Sequence, residues 1–316
     1  MKVLVTGWAG YLGPHVVRLL RERGHYVIGL DTGWFLHTYQ EKPVYPHESI
    51  WMDLRDAWLD DFDVDVIVHL AGLSNDPMSN LDPELTRDIN FTGTANLIGT
   101  NDDRRHVIAS SCSVYGTADL ATEETAPAPL TAYATAKANV DRFVADMDEA
   151  VSLRFGTLYG WSPGYRLDLV VNRMVRDALF SGIKVYGNAA RPLLNVEDAA
   201  SAIVYAAVEQ TALGGVYNVT GENWRMQDLG KTVQAAVKKY LGATPSLTFL
   251  PSSGDARDYS VLDTKLRASG WQPTRTIEDT LPGLIERSFV LRTPSLLTRL
   301  SALESLKLDK RLRSAA

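Results

Sequence analysis

A tyrosine and a lysine four residues apart, Tyr133 and Lys137, are suited to acid–base chemistry. On a helix, side chains separated by four residues lie on one face, a single turn apart. A phenol has a pKa of about 10, and a cation about 4 Å away favours its ionised form by about 4 kcal/mol at an effective dielectric of about 20. The pair therefore predicts a tyrosine that takes a proton from a substrate hydroxyl group.

A serine cluster precedes this pair and follows the apolar run 106–109. The Tyr-x-x-x-Lys spacing also arises by chance, so these neighbours are needed to interpret it. Ser111 is the residue that we expect to hydrogen-bond to the reacting oxygen, because it lies where the predicted strand ends. The alternative is that these serines only cap a helix or a turn.

Glycines at positions 7, 10 and 13 follow the apolar run 3–5, which predicts a strand, a tight turn and a helix. A helix N-terminus binds phosphate when no Cβ blocks the approach, although glycine clusters also close ordinary turns. Asp31 ends the next apolar run, where a carboxylate accepts hydrogen bonds from ribose hydroxyls. A 2′-phosphate would meet like charge there, and no Arg or Lys lies between Asp31 and Lys42. The sequence therefore predicts NAD as the cofactor.

Strand-like runs alternate with helical patterns, which is typical of a doubly wound parallel sheet. Further strands are predicted at 65–70, 106–109 and 151–154, and helices at 84–100 and 132–146. The predicted fold class is α/β, a Rossmann sheet with a smaller mixed α/β C-terminal substrate lobe. We expect an NAD-binding domain over 1–165 and a substrate lobe with a C-terminal tail over 166–316. A helix at 196–210 and a strand at 215–219 are expected to return to the first sheet.

Composition argues against several classes of partner. The net charge of −6 disfavours a nucleic-acid binder, which needs a concentrated basic face. The single cysteine, Cys112, gives no sign of an oxidising compartment, and no apolar run is long enough to cross a membrane. A cytoplasmic protein is expected. Residues 284–316 are basic and leucine-rich, which favours an amphipathic helix or frayed tail used in packing or subunit contact.

The motifs follow one another in the order found in a known family. The chain resembles the extended short-chain dehydrogenases/reductases, in particular the NAD-dependent epimerase/dehydratase family of nucleotide-sugar enzymes, over residues 1 to about 280. The resemblance is carried by Thr6-Gly7-x-x-Gly10-x-x-Gly13, Asp31, Asp53-Leu54, His69-Leu70-Ala71-Gly72, Asn90-x-x-Gly93-Thr94, Val114-Tyr115-Gly116, Tyr133-x-x-x-Lys137, Leu153-Arg154, Tyr159-Gly160 and Arg191-Pro192 before Val196-x-Asp198.

The resemblance implies two sets of ligands. The cofactor set is Gly7, Gly10, Tyr11, Leu12, Gly13, Asp31, Asp53, Leu54, Leu70, Ala71, Gly72, Asn90, Tyr133 and Lys137, with Asp53 and Leu54 at the adenine. The substrate set is Cys112, Ser113, Thr157, Arg166, Asn172, Arg191 and Arg257, with the last two at the diphosphate. The implied catalytic residues are Ser111, Tyr133 and Lys137.

Departures from the family pattern bear on the reaction. Sugar 4,6-dehydratases of the family typically carry Asp-Glu after the catalytic hydroxyl residue, where this chain has Cys112 and Ser113. Ser113 cannot act as a carboxylate base, and a thiol with a pKa of about 8.5 would be an unusual acid. Ordinary dehydration is therefore disfavoured. Thr157 and Asn195 replace an asparagine and a histidine that are common in the family, so the identity of the sugar stays open.

The resulting hypothesis is an NAD-dependent nucleotide-sugar epimerase that works through a 4-keto intermediate formed by hydride transfer at C4. The alternatives are a nucleotide-sugar dehydrogenase or 4-ketoreductase with exchangeable NAD(H), an atypical dehydratase that uses Cys112, and a non-catalytic NAD-binding protein. The predicted partner is a nucleoside-diphosphate sugar, with no nucleic acid or membrane. A homodimer is also expected, paired through the helices at 84–100 and 132–146, and no metal is expected.

Overall fold

A seven-stranded parallel sheet forms the centre of the protein. The computed structural model describes residues 1–74, 76–99, 103–252 and 254–290. Its strands are β1 Lys2–Thr6, β2 Tyr26–Asp31, β3 Glu48–Trp51, β4 Val66–His69, β5 Arg105–Ser111, β6 Thr117–Ala121, β7 Ala150–Phe155, β8 Thr157–Tyr159, β9 Ile183–Tyr186, β10 Ala190–Asn195, β11 Gly215–Val219, β12 Glu222–Arg225, β13 Leu247–Leu250 and β14 Asp258–Val261. The order in the central sheet is β11-β7-β5-β4-β1-β2-β3.

Helices cover both faces of this sheet. They are α1 Gly13–Glu22, α2 Asp76–Leu81, α3 Pro83–Arg87, α4 Thr94–Ile98, α5 Ala132–Ala145, α6 Val170–Phe180, α7 Val196–Val204, α8 Met226–Leu241, α9 Thr264–Ala268 and α10 Ile277–Val290. A wider helical turn, Asp88–Gly93, joins α3 to α4, and a similar turn, Tyr205–Glu209, continues α7. None of the helices within the described ranges is long and apolar enough to span a membrane.

The central strands are apolar along their whole length because both of their faces are covered. Val3 and Val68 belong to the core beneath α1 and α7, whereas Leu4 and Ile67 belong to the core on the opposite face. Successive side chains of a strand point to opposite faces, so an unbroken apolar run is what a doubly covered parallel strand requires. The predicted doubly wound α/β fold is confirmed.

A second core lies among the later elements. Residues of α6, α8 and α10 pack together with β9, through side chains such as Val175, Val233, Leu281 and Val185. Three small sheets accompany it, in the orders β12-β10-β8, β13-β9 and β14-β6. Most of these short elements belong to the later part of the chain, whereas β6 and β8 precede residue 166. Thr100 and the tail beyond residue 290 lie outside the described residues.

Candidate active site

Helix α5 places Tyr133 and Lys137 one turn apart at the carboxyl edge of the sheet. The helix begins after Thr131, whose hydroxyl accepts a hydrogen bond from the backbone N–H of Ala134 at 3.2 Å. The Lys137 Nζ lies 6.0 Å from the centre of the Tyr133 ring and donates a hydrogen bond to the Ala109 carbonyl at 2.6 Å. Because Ala109 belongs to β5, the strand that carries Ser111 also holds the Lys137 ammonium in place.

Burial sets the charge state of this lysine. Lys137 is only 6% exposed, and burial lowers its pKa to about 8, while the nearby carboxylate of Asp141 raises it in part. Asp141 itself accepts hydrogen bonds from Ser152 Oγ at 2.5 Å and from Arg154 Nε at 2.7 Å. At neutral pH the lysine is therefore still protonated, close to the Tyr133 ring.

The serine cluster spans the carboxyl end of β5 and the turn that follows it. The Ser111 hydroxyl accepts a hydrogen bond from the Ser113 N–H at 3.2 Å, and the two hydroxyl oxygens are 2.9 Å apart. Ser111 therefore caps a short helical turn, Cys112–Tyr115, as the alternative interpretation supposed. It also lines the same cavity as Tyr133 and Lys137, so a capping role and a role in the site are compatible.

One cavity of about 1250 Å³ contains this group and extends in two directions. Towards the first two strands, its wall includes Gly7, Gly10, Tyr11, Leu12, Gly13, Asp31, Asp53, Leu54, Leu70, Ala71 and Gly72. Towards the later elements, its wall includes Thr157, Arg166, Arg191 and Arg257. The catalytic group thus shares one cavity with the predicted cofactor ligands other than Asn90 and with most of the predicted substrate ligands.

The glycine turn fits a dinucleotide. Gly7 has φ +71°, and a Cβ on it would lie 2.6 Å from the Ala71 nitrogen. A Cβ on Gly13 would lie 2.4 Å from the Trp8 backbone, so this glycine lets α1 start against the turn. Ser110 adds a buried hydroxyl in the cavity wall that has no hydrogen-bond partner among the described residues. A glycine cradle and an unsatisfied polar atom are what a bound cofactor would use.

Two carboxylates lie at the adenosine end of the predicted cofactor site. Asp31 accepts hydrogen bonds from the N–H groups of Ala9 at 3.0 Å and Gly33 at 2.8 Å, and burial raises the pKa of this carboxyl. A carboxylate has about four acceptor positions, so Asp31 can still accept from a ribose hydroxyl. Asp53 binds the Arg55 guanidinium, with its Oδ2 2.6 Å from Arg55 Nη2. Asp53 is therefore held by a neighbouring cation at the place where adenine is expected.

Asn90 supports the cavity wall from behind. Its Oδ1 accepts from the Leu73 N–H at 2.7 Å, and its Nδ2 donates to the Leu73 carbonyl at 2.9 Å. A Cβ on Gly72 would lie 2.8 Å from the same Oδ1. The amide thus clamps the loop that carries Gly72, so its expected role becomes one of positioning this loop.

Arginines dominate the substrate end. Arg191 Nη2 lies 3.1 Å from Asp255 Oδ2, and Arg257 Nη2 lies 2.7 Å from the same oxygen. The two predicted diphosphate ligands therefore converge on one carboxylate. Partial burial of Asp255 favours a higher pKa, but the hydrogen bonds and charge of Arg257 outweigh it, so the pKa of Asp255 is lowered to about 2. Arg166 donates to Ser74 Oγ at 2.8 Å and to Asp168 Oδ1 at 3.1 Å.

The structure does not bring Cys112 and Asn172 to the substrate as predicted. The Cys112 thiol is fully buried, donates to the Arg154 carbonyl at 3.0 Å, and packs with Val114 and Tyr115. The Asn172 amide accepts from the Gly160 N–H at 3.1 Å and donates to the Arg166 carbonyl at 3.0 Å. Both side chains serve the packing behind the cavity, because the short turn that carries Cys112 and the first turn of α6, which carries Asn172, direct them inward.

Some residues of the site escaped the sequence prediction. Ser110 belongs to the serine cluster and Asp255 to the stretch Gly254–Ser260, but their spacing gave no sign that either residue lines the site. Residues 32–38 form another part of the wall, through Thr32, Trp34, Phe35 and Thr38. They follow Asp31 without any motif, so only the fold could reveal their place.

Comparison with known proteins agrees with this architecture. Residues 3–220 match the NAD dependent epimerase/dehydratase family, so the chain belongs to that family. It is 30% identical to the UDP-glucose 4-epimerase of Mycolicibacterium smegmatis, over 90% of this chain and 98% of that protein. It is 29% identical to the dTDP-glucose 4,6-dehydratase of Neisseria gonorrhoeae, over 88% and 93%. The crystal structure of the Thermus thermophilus UDP-glucose 4-epimerase complex with NAD is 26% identical, with a TM-score of 0.72 over 90% of this chain and 99% of that one.

Family membership confirms three predictions. The protein is an enzyme, its cofactor is NAD, and it is an extended short-chain dehydrogenase/reductase. Because relatives of similar identity include an epimerase and a dehydratase, the family alone does not select the reaction.

Proposed function

We propose that this protein is a nucleotide-sugar epimerase that acts through a 4-keto intermediate. The observation that carries the proposal is that Ser111, Tyr133 and Lys137 line one cavity together with the glycine turn and Asp31. When bound, NAD accepts a hydride from a sugar carbon and returns one to it. The similarity to two UDP-glucose 4-epimerases supports inversion at C4 of a UDP-sugar.

The side chains divide the proton chemistry between them. The Tyr133 phenolate takes the proton of the C4 hydroxyl as the ketone forms, and the resulting phenol returns it as the ketone is reduced. The Lys137 ammonium, held by the Ala109 carbonyl, stabilises the phenolate by its charge. The Ser111 hydroxyl donates a hydrogen bond to the ketone oxygen and so fixes the reacting carbon.

The arginines would hold the substrate by its diphosphate. Guanidinium groups bind phosphate oxygens in a bidentate manner, and both Arg191 and Arg257 face the cavity. Thr157 and Arg166, which follow β7 in sequence, also line the cavity. We infer that residues 1–165, together with 196–219, form the NAD-binding domain and that the other residues from 166 onward form the substrate lobe.

The environment of Cys112 argues against dehydration. Elimination of water across C5 and C6 needs an acid and a base beside the sugar. The Cys112 thiol is buried behind the cavity, and burial raises its pKa well above the ordinary value. Ser113 reaches the cavity but carries only a hydroxyl group. This pair supplies neither group, so an epimerase is favoured over a dehydratase.

The proposal is tested with a panel of UDP-, dTDP-, GDP- and CDP-sugars incubated with the purified protein without added cofactor and followed by NMR. We expect one sugar to be converted to its C4 epimer, with no net NADH. Stoichiometric formation or consumption of NADH would indicate the dehydrogenase or ketoreductase instead. Loss of water would indicate a dehydratase, and NAD binding with no conversion of any sugar would indicate a binding protein.

Two further predictions concern the whole protein. A homodimer paired through the helices predicted at 84–100 and 132–146 stays a prediction, which light scattering after gel filtration would test. A cytoplasmic location also stays a prediction.

A further inference from the structure

We propose that Glu41 closes a clasp over the adenosine end of the cofactor site and thereby keeps NAD bound between turnovers. The clasp consists of Glu41, Trp161 and Arg287. The inference deepens the proposed function, because an epimerase reuses the same NAD in each cycle whereas a dehydrogenase must exchange it. It concerns cofactor retention, which can be measured without any sugar.

The segment that the clasp holds is the wall of the adenosine end. Residues 32–41 follow Asp31, and Trp34, Phe35 and Thr38 line the cavity on this side. Asp31 fixes the start of the segment by accepting from the Gly33 N–H at 2.8 Å. The far end of the segment must therefore be held by something else if the wall is to stay closed.

The far end is tied to the second half of the chain. The Gln40 N–H donates to the Pro163 carbonyl at 2.9 Å. The Glu41 carboxylate accepts from Trp161 Nε1 at 2.8 Å and from Arg287 Nη1 at 3.3 Å to each oxygen. The Arg287 guanidinium also lies 4.9 Å from the centre of the Trp161 ring, a cation–π contact. Each member of the clasp thus contacts the other two.

The receiving loop, residues 160–165, is itself fixed on the glycine turn. The Tyr11 hydroxyl donates to the Gly160 carbonyl at 2.6 Å, and Ser162 Oγ donates to the Tyr11 carbonyl at 2.6 Å. A Cβ on Gly164 would lie 2.8 Å from the Gly10 carbonyl oxygen and 3.0 Å from the Tyr39 ring. The loop therefore bridges the pyrophosphate cradle and the adenosine wall, and the clasp joins both to α10.

The clasp is the part of this assembly that can open. The contacts of the receiving loop are buried, whereas the Glu41 and Arg287 side chains are 46% and 49% exposed. An ion pair at that exposure is weakened by salt. Residues 32–41 carry part of the wall at the adenosine end, so loss of the clasp should let this wall move and speed release of NAD without removing any cofactor ligand.

The test measures exchange of bound NAD for labelled NAD in the purified holoenzyme, by rapid gel filtration. We expect Glu41→Gln and Arg287→Met each to exchange about fivefold faster, the effect expected for one half-exposed ion pair. The double variant should be no faster than the single ones, because both remove the same contact. About 0.5 M NaCl should speed exchange in the unsubstituted protein but not in Glu41→Gln.

Glu48→Gln is the matched control, because Glu48 accepts a hydrogen bond from another aromatic side chain, Tyr26, at 2.6 Å on the edge of the sheet. It should exchange NAD at the unsubstituted rate. Should Glu41→Gln fail to fold, Trp161→Phe keeps an aromatic ring beside Arg287 and leaves the Glu41 carboxylate in place but removes the N–H donor, and it should also speed exchange. Unchanged exchange in Glu41→Gln and Arg287→Met, or effects that multiply in the double variant, would overturn the clasp. Failure of epimerisation would not affect this assay.

Discussion

The hydroxyl of Tyr133 is the group on which the proposed reaction depends. Tyr133→Phe removes the proton acceptor but keeps the ring, so we expect turnover to fall by at least about 100-fold while NAD binding persists. Tyr240→Phe, at an exposed position of α8, is the control and should keep full activity. Turnover and NAD content of the purified variants are the measurements. Activity in Tyr133→Phe near that of the control would remove this residue from the reaction.

The buried state of Lys137 predicts the pH dependence of the reaction. Its pKa of about 8 lies below that of an ordinary lysine because burial disfavours the charge. The ammonium is present below this pH and is lost as the pH rises through it. We therefore expect kcat/KM to decline as the pH rises through about 8. A kcat/KM profile that stays level to about pH 10, where a solvated lysine titrates, would contradict this role.

The thiol of Cys112 should be dispensable. Serine at this position can still donate to the Arg154 carbonyl, which accepts from the thiol at 3.0 Å. We expect Cys112→Ser to keep turnover within about twofold and to lose about 1 kcal/mol of unfolding free energy at most. Steady-state kinetics and chemical unfolding are the measurements. A tenfold or greater loss of turnover in a folded variant would return the thiol to the reaction.

Residue types in motifs were predictable, but side-chain directions were not. Spacing placed Tyr133 and Lys137 on one helix face, and the structure shows them there. Cys112 lies between two cavity-lining serines in sequence, yet it points into the core because a short helical turn follows Ser111. Asn172 follows the start of a helix, and only the fold shows that its amide is used by Gly160 and Arg166.

At the scale of elements, the turn between β1 and α1 is the most constrained. Gly7→Ala would put a Cβ 2.6 Å from the Ala71 nitrogen on a backbone with φ +71°, so the turn must distort. We expect a loss of about 3 kcal/mol or more in unfolding free energy, together with loss of NAD binding.

Gly24→Ala separates the strain of a positive φ from the steric clash with Ala71. Gly24 has a similar φ of +78°, but its surroundings are open. We expect it to lose only about 1 kcal/mol of unfolding free energy and to bind NAD normally. Urea unfolding and NAD titration measure both variants. Equal effects at the two positions would show that the close approach to Ala71 is unimportant.

Regular elements were readable where their hydrophobic periodicity is strong. The strand predicted at 215–219 is β11, and the helix predicted at 196–210 is α7 followed by a wider turn. The edge strand β3 was not predicted, since Glu48–Trp51 is largely exposed and lacks an apolar pattern. The helix predicted at 84–100 is divided into α3, a wider turn and α4, because the hydrogen-bond pattern changes at Asp88–Gly93.

At the scale of the whole molecule, the site depends on contacts between the first sheet and the later elements. Arg191 and Arg257 reach the cavity that contains the glycine turn, although more than 170 residues separate them from it in sequence. Such long-range contacts leave no local pattern in the sequence. The family resemblance could indicate the arginines, but it could not indicate that Asp255 joins them or that Glu41 meets Arg287.

Transfer of deuterium from C4 tests the proposed reaction most directly. The nucleotide sugar that the panel identifies would be labelled with deuterium at C4 and converted by the holoenzyme in ordinary water. Because the hydride leaves and returns within one closed site, the C4 epimer should keep the label at C4. Loss of the label to solvent, its appearance at another carbon, or its accumulation in released NADH would contradict epimerisation through a 4-keto intermediate.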